Sequence, residues 1–144
     1  MIRNYKDIPI FINARDLVSP LKQLVTWLLE AGYHTIYILD NDSTYPPLHE
    51  FYSKRPDEVV VIPLGVNAGH TALWDLDILG RLAITTPYVY TDPDIVPIDE
   101  CPRHVLEFFL EVLGAFPDRT KVGFGLVISD LPDHYQWKQQ VITW

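Results

Sequence analysis

An alternating α/β fold with a mostly parallel, Rossmann-like sheet is predicted by three observations. Short apolar runs rich in β-branched and aromatic residues alternate with amphipathic stretches along the chain. Four consecutive runs of the first kind end in polar residues, as strands do where an open sheet binds its ligand. With 48% hydrophobic residues in 144, there is material for one sizeable core, so residues 1–144 are expected to form a single domain.

The elements follow in order. Ile8-Pro9-Ile10-Phe11-Ile12-Asn13 is a near-continuous apolar run, the pattern of a strand covered on both faces. Ser19-Pro20 reads as an N-cap followed by proline at the first helical position, with Gly32 as the stop. Between them Leu21, Leu24, Val25 and Leu28 share one helical face. Thr35–Leu39 is the second strand, and its βαβ connection predicts a right-handed crossover to a parallel neighbour. A short helix from Pro46 or Pro47 to Tyr52, a third strand Val59–Ile62 and a helix from Thr71 to Leu82 come next. That last helix carries Asp75 and Asp77 toward solvent, and Trp27, Trp74 and the other aromatics read as core or subunit contacts. Tyr88–Thr91 is expected as a short buried strand. Val105, Phe108, Phe109 and Val112 mark a helix ending near Gly114 and Pro117. Lys121–Ile128 reads as a fifth strand, and Asp133–Trp144 as a helix cut off in mid-pattern, which suggests that the natural protein continues.

Composition excludes several classes of partner. The formal net charge is -8, with 19 acids against 11 Lys and Arg and no basic run, which argues against nucleic acid or an anionic membrane surface. Cys101 is the only cysteine, so no internal disulfide can form. No stretch approaches a membrane span and the N-terminus has no apolar signal core, so the expected location is cytoplasmic, with peripheral membrane attachment left open. His34, His49, His104 and His134 show no zinc-site spacing and read as surface residues.

The chemistry is expected at the strand ends. Asp92-Pro93-Asp94 places two carboxylates immediately after a strand, with Pro93 stiffening the turn. Close carboxylates repel unless solvent or a cation separates them, and a hard ion such as Mn²⁺ or Mg²⁺ bearing a diphosphate would satisfy both. The same tripeptide is ordinary turn chemistry, so its position decides between the readings. Asn13-Ala14-Arg15, Asp40-Asn41-Asp42 and Asn67-Ala68-Gly69-His70 also follow strands, and parallel strands bring such loops to one crevice.

In this order, Asn-Ala-Arg, Asp-Asn-Asp-Ser-Thr, Asn-Ala-Gly and Thr-Asp-Pro-Asp resemble the nucleotide-binding half of a family 2 glycosyltransferase with the GT-A fold, a three-layer α/β/α sandwich. Asp92-Pro93-Asp94 matches that family's Asp-X-Asp signature, whereas Asp42 replaces the glycine of its Asp-Asn-Gly-Ser-Thr segment. The resemblance implies that Asp40 accepts from the base edge, with Asn41 and Asp42 in the same segment. It places Asn13, Ala14 and Arg15 along the base and phosphate side, and Asn67 and Gly69 in the donor pocket. Asp92 would reach the ribose or a metal-bound water, and Asp94 would ligate the metal. His70 could contact the sugar or diphosphate from its helix start. The implied reaction moves a sugar, from UDP in the first instance, to a hydroxyl on a glycan, lipid-linked or protein acceptor. Asp130 and Asp133 are the late acids available as general base. Self-association is compatible with the sequence. Two other readings compete: a catalytically silent nucleotide-sugar binding domain, and a sugar-phosphate nucleotidylyltransferase, which would need a glycine-rich phosphate loop that Asn13-Ala14-Arg15-Asp16 does not supply.

Overall fold

The computed structural model describes residues 4–143. The extreme N-terminal residues and the predicted helical end at Trp144 lie outside that range. The chain divides into two compact units, residues 1–108 and 109–144.

The first unit holds a four-stranded sheet of β1 (Ile10–Ala14), β2 (Ile36–Asp40), β3 (Val59–Pro63) and β4 (Val89–Thr91), in the order β3-β2-β1-β4. Every pairing is parallel. Flanking helices make it a mixed α/β unit compatible with a Rossmann-like fold: α1 (Ser19–Glu30), α2 (Pro46–Ser53), α3 (Ala72–Asp75) and α4 (Ile78–Arg81). The register sets Ala14, Asp40 and Pro63 level, so three strands end together. From β1 the chain steps outward to β2 and β3, then returns to the far side of β1 as β4. That reversal puts the switch point of the sheet between β1 and β4.

Burial follows strand position. Ile10, Phe11, Ile12, Ile36, Ile38 and Leu39 in the two central strands are at most 1% exposed, as the unbroken apolar runs predict. Alternation sends Phe11 and Leu39 to one face, where Leu73 of α3 and Ile78 of α4 close over them. Asp40 points to the other face, where Tyr52 of α2 meets it. β4 departs from the expected buried strand. It borders the sheet among the described residues and all three of its residues are half-buried, because only β1 pairs with it.

Helix α1 starts one residue differently from the expected cap. Val18 occupies the capping position in right-handed conformation without a side-chain bond, and Ser19 is already helical. The C-terminal end behaves as glycine there predicts. Gly32 adopts φ +85° while Gly32 N–H bonds the Leu29 carbonyl at 2.9 Å and Tyr33 N–H bonds that of Leu28 at 3.0 Å. A Gly32→Ala variant is expected to lose about 1–2 kcal/mol, measured by urea unfolding, since a side chain disfavours that conformation.

The predicted helix from Thr71 to Leu82 is broken. A 3₁₀ turn over Gly69–Thr71 leads into α3, and Asp77 at φ 48° separates α3 from α4. Aspartate tolerates this left-handed conformation better than most side chains. Gly80 makes room for it: a Cβ there would lie 2.5 Å from the Asp77 carboxylate.

In the second unit, α5 (Val105–Ala115), whose first residues belong to the first unit, ends as expected. The predicted strand Lys121–Ile128 does not form; Phe124 packs edge-on against Phe109 at 5.0 Å, while Leu126 is 71% exposed. A strand needs a neighbouring backbone, and Gly123 and Gly125 weaken this one further. The final predicted helix shrinks to α6 (Lys138–Ile142). Among the described residues no helix is long and apolar enough to cross a membrane.

Candidate functional site

Three of the four predicted loops are tied together by side-chain amides. Asn13 Nδ2 donates to the Gly69 carbonyl at 3.1 Å, Asn41 Nδ2 donates to Asn13 Oδ1, and Asn41 Oδ1 accepts from Ala68 N–H at 2.9 Å. Asn41 N–H also bonds the Ala14 carbonyl at 2.9 Å, and Asn67 Oδ1 accepts from Gly69 N–H at 3.1 Å. Asn41 is only 2% exposed, so this relay satisfies a buried amide. Asn13 and Asn41 therefore tie the three loops to one another, next to the fully buried Ala14 that ends β1. Gly69 takes φ +69°, which turns the third loop toward Asn13.

The second strand end is more enclosed than a base-reading acid requires. Asp40 is 7% exposed; its Oδ1 accepts from the Tyr52 hydroxyl at 3.0 Å and its Oδ2 from Ser43 N–H at 3.4 Å. Burial, followed by the Asp40 charge, drives the Tyr52 phenol well above its usual range, keeping it a donor. Asp42 stands exposed in the left-handed region at φ 57°, a conformation aspartate tolerates better than most side chains.

Asp16 is a site-shaping residue that sequence reasoning passed over. At φ 50°, it accepts Thr44 N–H at 2.6 Å and Tyr45 N–H at 2.9 Å through Oδ1, stitching the first loop to the second. Ser43 Oγ accepts the Asp16 N–H at 3.1 Å in return. The two backbone N–H groups hold the Asp16 carboxyl below its ordinary value of 3.8, with a smaller contribution from Arg15. A depressed carboxyl contributes stability that is present above its unfolded pKa and lost as pH falls through the folded one. Melting from about pH 6 to about pH 2.5 should thus cost wild type more than Asp16→Asn, with the divergence setting in below about pH 4. Equal losses would deny the stitch. Arg15 itself is exposed and only loosely paired, 3.9 Å from Asp16, which leaves its guanidinium able to meet a phosphate.

Asp92 and Asp94 are exposed on either side of buried Pro93. Thr91 pairs with Ile12, so Asp92 follows beside Asn13 at the switch point. A second chain of contacts makes the same connection: Tyr90 OH donates to the His70 carbonyl at 2.9 Å, next to the Gly69 that binds Asn13. Burial and then Asp92 and Asp75 push the Tyr90 phenol up to about 12, partly offset by a backbone hydrogen bond. The His70 side chain is exposed at this edge.

The chain matches no family model, no curated protein and no solved structure.

Among the described residues no group of three or more His, Cys, Asp or Glu is arranged to hold a metal ion. Asp92 and Asp94 offer hard oxygen donors, the right chemistry for Mn²⁺ or Mg²⁺, and such an ion would draw its remaining ligands from water and phosphate oxygens. Asp130 and Asp133 are exposed in the second unit, where Lys138 Nζ lies 2.7 Å from Asp133.

Of the two readings expected for Trp74, core or subunit contact, the first does not hold. Trp74 is 51% exposed, packs edge-on against Tyr90 at 4.8 Å and donates its indole N–H to Tyr88 OH at 3.1 Å. Trp27, by contrast, is a core residue as expected, 8% exposed. It borders an open groove of about 450 Å³ shared with Lys22, Glu30, Asp99 and Arg103. The Arg103 guanidinium there is already engaged by the Trp27 carbonyl at 3.2 Å and Glu30 at 3.3 Å. The Lys22 ammonium on the same groove lies over the Phe51 ring, 5.6 Å from its centroid.

Proposed function

We propose that the chain is the nucleotide-binding part of a glycosyltransferase of family 2 type with a GT-A fold, moving a sugar from a nucleoside diphosphate, UDP in the first instance, to an acceptor hydroxyl. The observation that supports this most is the amide relay Asn13–Asn41–Ala68, which fixes three loops beside the strand that carries Asp92 and Asp94. Polar loop ends held together beside an acidic pair suit a ligand that is a heterocycle at one end and a diphosphate in the middle.

In this reading Asp92 and Asp94 are the residues that would hold Mn²⁺ or Mg²⁺, and the ion would supply positive charge against the departing diphosphate. Arg15 supplies a second positive charge to the phosphates, and exposed Asn67, whose Oδ1 already holds the Gly69 N–H, bounds the donor pocket together with Gly69. Asp40 supports the base side through its turn while Tyr52 and Ser43 occupy two of its acceptor positions. In the transfer, the acceptor oxygen bonds to the anomeric carbon as the bond to the diphosphate oxygen breaks. The diphosphate keeps that electron pair, and the hydroxyl proton passes to a general base. Asp130 and Asp133, the late acids that the sequence offers for that role, lie in the second unit, where Asp133 is paired with Lys138. Glycan, lipid-linked and protein acceptors all present the required hydroxyl. A soluble nucleotide-sugar supply and a lone cysteine fit work in the cytoplasm.

The test is thermal stabilisation by UDP and other nucleoside diphosphates with and without Mn²⁺. At a hundredfold excess over Kd a specific ligand adds about 2.7 kcal/mol, and for a chain of this size that raises Tm by about 10 °C. Stabilisation that needs both nucleotide and metal supports the reading; its absence across the panel overturns it.

A further inference from the structure

We infer that Trp74 is the platform on which the sugar ring of the donor stacks, an assignment that rests on the nucleotide-sugar reading above and extends it to a residue outside the acidic and amide loops. Large aromatic side chains usually turn their faces into the core. Trp74 leaves half its surface to solvent yet is held at two points: its ring edge-on to Tyr90 at 4.8 Å and its N–H on Tyr88 OH at 3.1 Å. Both tyrosines flank or belong to β4, and Tyr90 is itself fixed by its bond to the His70 carbonyl. An exposed ring immobilised in the free protein loses little freedom when a ligand covers it.

Position decides which part of the ligand it meets. The strand-end edge of the sheet is amide-rich along β1 to β3, at Asn13, Asn41 and the Ala68–Gly69 backbone. It is aromatic along β4, where Tyr90, two residues before Asp92, supports the indole. A diphosphate tethered at Asp92 and Asp94 sends its nucleoside one way and its sugar the other. The amide end suits a heterocycle with donors and acceptors on its edge. The indole suits a pyranose, which presents a patch of C–H groups on one face and hydroxyls around its rim. Asp75, held by Thr71 Oγ1 at 2.6 Å, and exposed His70 provide polar groups near that rim.

Calorimetric titration of the full chain, with Mn²⁺ present, tests this by comparing UDP with UDP-glucose, UDP-galactose and UDP-N-acetylglucosamine. Trp74→Ala should leave UDP affinity within about twofold and weaken the best-bound UDP-sugar on the order of tenfold, with Trp74→Phe restoring most of the loss. Phenylalanine keeps an aromatic ring against Tyr90, so that variant remains informative if alanine disturbs folding. Equal weakening of UDP and UDP-sugars would mean that the indole stacks on the base, and would overturn the assignment. Unchanged affinity for all three UDP-sugars in both variants would do the same. Failure of wild type to bind UDP at all removes the nucleotide-sugar reading itself, and is distinguishable because no variant is needed to see it.

Discussion

Asp94→Ala is expected to lose metal-dependent nucleotide binding while keeping wild-type stability without ligand. Both aspartates beside Pro93 are exposed, so removing one carboxylate leaves no buried group unpaired. Among the described residues no third His, Cys, Asp or Glu joins the two carboxylates in a metal-holding group, so halving them removes both charge and geometry. Roughly a hundredfold weaker binding in Mn²⁺ follows, equivalent to about 2.7 kcal/mol. Binding without metal, already weak for an anion on a chain of net charge -8, should hardly change. Titration of UDP with and without Mn²⁺ checks this, and a variant that still responds to Mn²⁺ as wild type does would place the ion elsewhere.

Asn41→Ala is the second large effect, and it falls on stability as well as on binding. The substitution removes the acceptor of Ala68 N–H and the donor to Asn13 at a position only 2% exposed. Leaving such groups unpaired costs about 1–3 kcal/mol each, less whatever water recovers, so a loss of about 2–4 kcal/mol by urea unfolding is expected. Asn67→Ala is the useful contrast. Its exposed side chain accepts one bond, from Gly69 N–H, and should cost under about 1 kcal/mol. If the two variants are equally mild, the relay does not hold the loops together.

These effects show where sequence reasoning succeeded and where it stopped. Periodicity located β1, β2, β3, α1, α2 and α5 to within a residue or two, because each element's burial is written in its own spacing. The convergence of strand-end loops was also legible, since it follows from parallel order alone. What each side chain does there was not. Asn41 and Asn13 look like ligand contacts in sequence, and only the folded chain shows that they bond to each other and to residues 27 and 56 positions away. Asp40 meets Tyr52 across a helix packed on the sheet, and Asp16 reaches Thr44 and Tyr45 across two loops. Partners that distant leave no periodic trace. The break at Asp77 had a faint local signal in Gly80, whose missing side chain gives the carboxylate room. The failed strand Lys121–Ile128 has the apolar alternation of a strand but no backbone partner within its unit, and alternation cannot supply one.

The claim beneath the account is that the Asp92 and Asp94 carboxylates and the Asn13–Asn41–Ala68 relay serve one ligand. Paramagnetic broadening by Mn²⁺ measures this directly, because it fades steeply with distance from the ion. On the ¹⁵N-labelled chain with UDP present, substoichiometric Mn²⁺ should broaden the backbone amides of Asn13, Asn41, Gly69 and Asp92 first, and Asp94→Ala should abolish the pattern. Broadening centred instead on Lys22, Trp27 and Arg103, or unchanged by Asp94→Ala, would contradict it.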